Sequence, residues 1–203
     1  MATNYSKETI ENTWFDVIKT IVSNDFKKTF PGNAPNFTVV FSEKLFARDT
    51  INVNGPRPPK PYITLKLISG PITKGSFDEI RPIPGTTKST LSGERQYTMN
   101  IQTYGEGGVD ALNLIQTIMD STTYRAKFKN DADISIISRG TVTDISALLD
   151  TGFEVRATLD VVFNTSVNIE IETGAIEDVC ISGTLDVEDQ RQIDVDEFLV
   201  AKP

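Results

Sequence analysis

The chain has 203 residues, 38% of them apolar, no histidine, a single cysteine and a formal net charge of -8. This length and apolar content suit one packed domain with at most an appended arm, and they exclude wholesale disorder. The absence of histidine removes the commonest general base and metal ligand at neutral pH, and the lone Cys180 excludes an internal disulfide and a thiolate cluster.

Met1–Tyr5 has neither the basic start nor the apolar core of a signal peptide, and no run is long enough to cross a bilayer. A soluble, non-secreted protein is expected, and the sequons at Asn36 and Asn164 then carry no glycan. Residues 7–23 predict a helix. Ser6 is placed to cap it, Glu8 lies in the first turn, and Ile10, Trp14, Val17, Ile18, Ile21 and Val22 form one apolar stripe. Trp14 suits a core anchor or, failing that, an interface residue. Pro31 and Gly32 end the helical segment.

Phe37–Phe41 predicts a short strand. Residues 42–61 read as a long connection, because Pro56, Pro58, Pro59 and Pro61 with Gly55 forbid regular structure. This basic, proline-rich stretch suits a surface crossing or a docking peptide. Ile63, Leu65 and Leu67 alternate with Tyr62, Thr64 and Lys66 as in a strand. Residues 69–88 are expected to form a second long loop, broken by Gly70, Pro71, Gly75, Pro82, Pro84 and Gly85. Residues 95–103 predict a strand with Tyr97, Met99 and Ile101 on one face. After the turn at Gly105–Gly108, residues 109–121 predict a second helix whose face is Ala111, Leu112, Leu114, Ile115, Ile118 and Met119.

Ile134–Ser138 predicts a strand, and Thr143–Asp150 a linker holding at most one helical turn. Residues 153–163 alternate most clearly. Phe153, Val155, Ala157, Leu159, Val161 and Phe163 share a face, and Glu154, Arg156, Thr158, Asp160 and Asn164 share the other, a solvated face on which Val162 is the exception. Phe153, Val155, Leu159 and Val161 are expected to pack against Leu112, Ile115 and Met119. Asn168–Glu172 continues as an extended arm, and Val179–Leu185 predicts a last strand, with Cys180 a buried, inert thiol.

The charge is unevenly placed. Residues 170–203 hold ten carboxylates against Arg191 and Lys202, whereas residues 1–169 are neutral. The acidic end repels duplex nucleic acid and suits a basic protein partner. The fold class is α+β, an antiparallel sheet packed against two helices as a two-layer sandwich with long proline-rich loops. One domain covers 1–185, and an acidic extension follows at 186–203.

No chemical signature stands out. Gly105–Gly108 lacks the lysine and hydroxyl of a phosphate loop, and Asp186, Glu188 and Asp189 lack the glycine and terminal glutamate of a calcium loop. Asp131 and Asp133 suit a polar turn, and Glu154 a solvated face. No catalytic, cofactor-binding or metal-binding residue is assigned, and no cofactor is expected.

The helix at 7–23, the proline-rich approach to Pro61-Tyr62-Ile63-Thr64-Leu65-Lys66, the Gly93-Glu94-Arg95-Gln96-Tyr97 strand entry, the Ala111–Met119 helix and the Gly152–Phe163 strand together resemble the neck and tail-terminator proteins of tailed bacteriophages. The likeness covers roughly residues 7–172 and departs at the acidic end. It implies a non-enzymatic virion protein of the tail neck, assembled in the host bacterial cytoplasm. It further implies a ring, usually a hexamer, that stops tube growth at the head-proximal end of the tail. The implied partners are further copies of the chain, the tail tube protein, the head–tail connector or neck protein and, in contractile tails, the sheath. Neither a membrane nor sequence-specific nucleic acid is implied, although DNA passes through such a ring. The alternatives are another head–tail joining or tube-associated virion protein, or a cellular protein-binding module. Loops 42–61 and 69–88, carrying Phe46, Ile51, Phe77 and Ile83, and the acidic end are the expected contacts.

Overall fold

A computed structural model of the chain describes residues 6–30, 35–42, 58–149 and 152–172, without the side chains of residues 76, 77, 149 and 152. The expected contacts at Phe46, Ile51 and Phe77, residues 43–57, the strand at 179–185 with Cys180, and the acidic end therefore lie outside the described residues.

Helix α1 spans Lys7–Thr20, and the Ser6 hydroxyl caps it by accepting the Thr9 N–H at 3.1 Å. The helix does not end at residue 23. It widens into a π-helical segment, Ile21–Phe26, and closes with the turn Lys27–Thr29. In an unbroken α-helix Asp25, four residues after Ile21, would come next on the buried face. One extra residue per turn brings Phe26 there instead, where it is buried. Asp25 instead accepts the Tyr124 hydroxyl.

The main sheet contains β1 (Thr38–Phe41), β2 (Tyr62–Pro82), β3 (Lys88–Tyr104), β4 (Ile134–Arg139), β5 (Thr143–Asp144) and β8 (Arg156–Glu172). Its order is β1-β2-β3-β8-β4, with β5 paired to β8. The expected antiparallel sheet is thus mixed, because β1 runs parallel to β2. A separate hairpin joins β6 (Ala147–Leu149), where a linker was expected, to β7 (Gly152–Glu154), which takes the start of the strand expected at 153–163.

Residues 69–82, expected to be loop, continue β2 into an antiparallel ribbon with β3. Among the described residues β1 pairs only with Tyr62–Leu65, so the rest of β2 is an edge on that side. An edge strand tolerates prolines, since the missing N–H faces no neighbour, and three register shifts absorb the residues that do not fit the ladder. Gly70 has φ of 115° and lies against the Tyr97 ring, where a Cβ would clash. The ribbon turns at residues 83–87, where the Ile83 N–H donates to the Lys88 carbonyl at 2.9 Å.

Helix α2 spans Gly108–Ile118 and packs on β3 and β8. A third helix, α3 (Thr122–Ala132), packs on α1 and β4 and corrects the expectation of two helices. Tyr124, Phe128 and Ala132 form its buried stripe. Asp131 is therefore helical, and Asp133, at φ of 49°, closes the helix in the left-handed conformation.

The core lies between these three helices and one face of the sheet. Trp14 is fully buried and meets the rings of Phe128 at 4.7 Å and Phe163 at 5.4 Å, which fixes it as a core anchor. Ile63, Leu65, Met99, Ile101, Ala157, Leu159, Val161 and Phe163 supply the sheet side; Leu112, Ile115 and Met119 face them. Leu159 and Val161 take their expected places. Val155 is only half-buried, and Phe153 is exposed. Leu159→Ala is expected to cost about 2–5 kcal/mol by leaving a cavity. Phe153→Ala is expected to stay within about 0.5 kcal/mol of wild type. Urea unfolding of the two variants measures both, and equal midpoints would refute this placement of the core.

Candidate interaction surfaces

Among the described residues no group of three or more acidic, cysteine or histidine side chains is placed to hold a metal ion. No described helix is long and apolar enough to cross a membrane. Asn164, one of the two sequons and expected on the solvated face, is instead buried, because its amide is satisfied between Gln96 and Glu94. Its amide accepts from Gln96 at 3.3 Å and donates to Glu94 at 2.8 Å, so it is not available for a glycan. The chemistry available is that of surfaces, and three of them differ from ordinary solvated protein.

The first is the ribbon formed by the outer halves of β2, β3 and β8. The β3–β8 ladder runs without a shift from Lys88↔Glu172 to Tyr104↔Arg156. Its core-facing positions are therefore every second residue throughout. Fully buried apolar residues on that face stop at Met99 on β3 and Phe163 on β8. Beyond them the stripe continues through Leu91, Val167 and Ile171, which are half-buried. Ile80 pairs with Leu91, and Leu91 with Ile169, giving an apolar row across three strands whose two outer members are exposed. Ile83, expected as a contact, is half-buried at the ribbon's turn. Arg95 locks the β2 side by gripping Asp78 through two hydrogen bonds, at 2.7 and 2.5 Å. That grip holds the Asp78 carboxyl below the usual range.

The second is the β6–β7 hairpin. Leu148 and Phe153 face each other across its two strands. They are 81% and 67% exposed, so together they form an apolar knob. Phe153 points outward because the alternation of residues 153–163 is interrupted at Val155, between β7 and β8. A clamp holds that break. Glu154, expected on a solvated face, is buried and pairs with Lys60 at 2.6 Å and Arg156 at 2.6 Å. The Arg156 guanidinium lies over the Tyr104 ring at 4.8 Å, and Tyr104 stacks on Tyr62 at 4.6 Å. The Gly105 N–H donates to the Val155 carbonyl at 2.9 Å.

The third is a shallow depression of about 250 Å³ beside the first bulges of β2, lined by Leu67, Ile68, Ser69, Gly70, Pro71, Tyr97 and Lys7. It is smaller and more open to solvent than a pocket that encloses a small molecule, so a projecting side chain suits it better.

Sequence reasoning placed Leu148 in a linker and Phe153 in the core. The Asp150-Thr151-Gly152 turn signal between Leu148 and Phe153 was the available clue to a hairpin.

Hydrogen bonding from Lys60, then the charge of Arg156, holds the Glu154 carboxyl below its ordinary range against the opposing effect of burial. A carboxyl depressed in the folded state contributes stability above its unfolded pKa of about 4.3 and loses it as pH falls through the folded value. Glu154→Gln is therefore expected to be less stable than wild type at neutral pH and to show a flatter acid limb. Urea midpoints measured from neutral pH down to about pH 3 test this. Parallel curves for the two proteins would contradict the clamp.

Comparison with known proteins matches residues 38–189 to the family described as phage neck terminator protein. No curated protein matches the chain.

Proposed function

Because the chain belongs to the phage neck terminator family, whose members are structural, non-catalytic proteins of the tail neck region of the virion, we propose that it forms a closed ring, hexameric in number, at the head-proximal end of the tail. There it ends tube growth and joins the tail to the head connector. The observation that carries this reading beyond the family match is the apolar surface left uncovered on an otherwise well-packed domain. Ile80 and Ile169 on the ribbon and Leu148 and Phe153 on the hairpin are all exposed. A monomer gains nothing from these positions, whereas an assembly removes them from water at about 25 cal/mol per Å².

A ring follows when two different patches on one chain meet head to tail and the rotation closes, which leaves no growing end. That is the property a terminator needs. The tube protein and the head connector contact the two faces of the ring, the sheath reaches it in a contractile tail, and DNA passes through its lumen. The carboxylates after residue 185, Asp186, Glu188, Asp189, Asp194, Asp196 and Glu197, give the chain an acidic end suited to a basic neighbour.

Native mass measurement of the full chain, 22.4 kDa per subunit, tests the ring. A species near six subunits is expected. A strict monomer that also forms no ring in assembled tails would overturn the reading. Removing residues 186–203 is expected to leave the urea midpoint unchanged and to weaken binding to the neighbouring protein. Salt is expected to weaken the intact contact more than the truncated one.

A further inference from the structure

The two edges of the ribbon differ. The β2 edge carries Gly70, Pro71, Gly75 and Pro82 and shifts register three times, so it offers no continuous row of backbone donors and acceptors. The β8 edge is the reverse. Over Ser166–Glu172 it has no glycine, no proline and no shift, and among the described residues β4 and β5 pair with β8 only between Ala157 and Thr165. A flat edge of this kind is a template for one more strand. Its side chains define what that strand should carry. Val167, Ile169 and Ile171 lie on the apolar face, and Ser166, Asn168, Glu170 and Glu172 on the other.

The segment nearest to this edge is the chain's own continuation. Residues 43–57 are tethered at both ends to the opposite edge of the sheet, by β1 and β2. Residues 173–203 leave from Glu172, at the end of the free edge itself. Within them Val179 and Ile181 alternate with Cys180 and Ser182, and Gly174 is available for a reversal of direction. The family match runs past Glu172 to residue 189, so this stretch belongs to the part of the chain shared with the family and not to the acidic end alone.

We propose that residues 179–183 of this chain fold back antiparallel onto the free edge of β8 in the same subunit, with residues 172–178 forming the reversal. The hydrophobic pattern sets the register: Val179 lies opposite Ile171, Ile181 opposite Ile169 and Gly183 opposite Val167. A slip by one residue would turn Val179 and Ile181 to the face of Glu170 and Asn168. The pairing starts after Glu172 and Asp178, two like charges that would otherwise oppose each other. It ends near Gly183, because Thr165 is already paired with Ile134. The row formed by Ile80, Leu91 and Ile169 thereby gains Ile181 as a fourth member, which widens the apolar surface that the ring reading assigns to neighbouring copies. The acidic residues from Asp186 onward then leave the domain beside the start of β4, not at the tip of the ribbon. The pairing itself does not depend on the ring.

The native Cys180 makes the pairing testable. In this register residues 170 and 180 face each other across the two strands, at a separation that a disulfide spans. Glu170→Cys in the full chain is oxidised at low concentration, and the linked peptides are identified by mass. A 170–180 link within one chain is expected. Lys74→Cys, on the same sheet face at the β2 edge, is expected to give no link to Cys180. Amide exchange at Val167–Ile171 is measured in the otherwise unaltered chain and in Val179→Ser combined with Ile181→Ser. The double variant is expected to speed it at least tenfold while Met99–Ile101 keeps its protection. A 170–180 link between two chains would overturn the proposal in favour of an arm exchanged between copies. No link, a link formed equally by Lys74→Cys, or unchanged exchange in the double variant would overturn it outright. None of these outcomes bears on the ring, which native mass measurement judges separately.

Discussion

The β3–β8 ladder is the constraint on which the rest of the molecule depends. Each strand has seventeen residues, and their register does not shift once. Side chains alternate between faces with a period of two, so an unshifted ladder assigns every residue of both strands to a face. Over half its length that face is covered by helices and carries Met99, Ile101, Leu159, Val161 and Phe163. Over the other half it carries Leu91, Val167, Ile169 and Ile171 with less cover. One regular feature thus produces both a dry core and an apolar ribbon. Trp14 ties the covered half together by reaching Phe128 on α3 and Phe163 on β8 at once.

The irregularities sit where the ladder meets something else. At its start, the Glu154 clamp lets the chain reverse its facing between β7 and β8, so that Phe153 leaves the core and Glu154 enters a setting of two cations. Burying that carboxylate is tolerable because Lys60 and Arg156 compensate it and Tyr104 supports Arg156 from beneath. On the far side of β3, the bulges of β2 allow glycine and proline to follow the ladder and open the depression beside Tyr97. The knob and the depression are thus both products of broken periodicity.

Regular periodicity was legible in the sequence. The stripe from Ile10 to Val22, Met99 and Ile101 in the alternation at 95–103, and Ala111, Leu112, Ile115 and Met119 are buried where expected, whereas Tyr97, Leu114 and Ile118 are half-buried. Two kinds of feature were not legible. Helix α3 has three buried residues among eleven, set among Lys, Arg, Asn and Asp, so its stripe is too thin to stand out from a polar turn. Gly70, Pro71, Gly75 and Pro82 read as strand breakers because the rule against them assumes a neighbour on both sides, and most of β2 has only one among the described residues. Phe153 failed for a subtler reason. Its spacing to Val155 and Ala157 fits the core face, and only the interruption at Val155 shows that the periodicity does not extend that far. Exposed apolar residues can look in the sequence like core, as Phe153 does, or like linker, as Leu148 does.

The proposed ring requires these exposed apolar residues to be covered by neighbouring copies in the tail neck. A cryo-electron microscopy reconstruction of the neck in assembled particles tests it most directly. A closed ring of this chain is expected, in which Leu148 and Phe153 of each subunit are lost to solvent. A neck in which this chain makes no ring, or makes one with the hairpin facing open solvent, would contradict it.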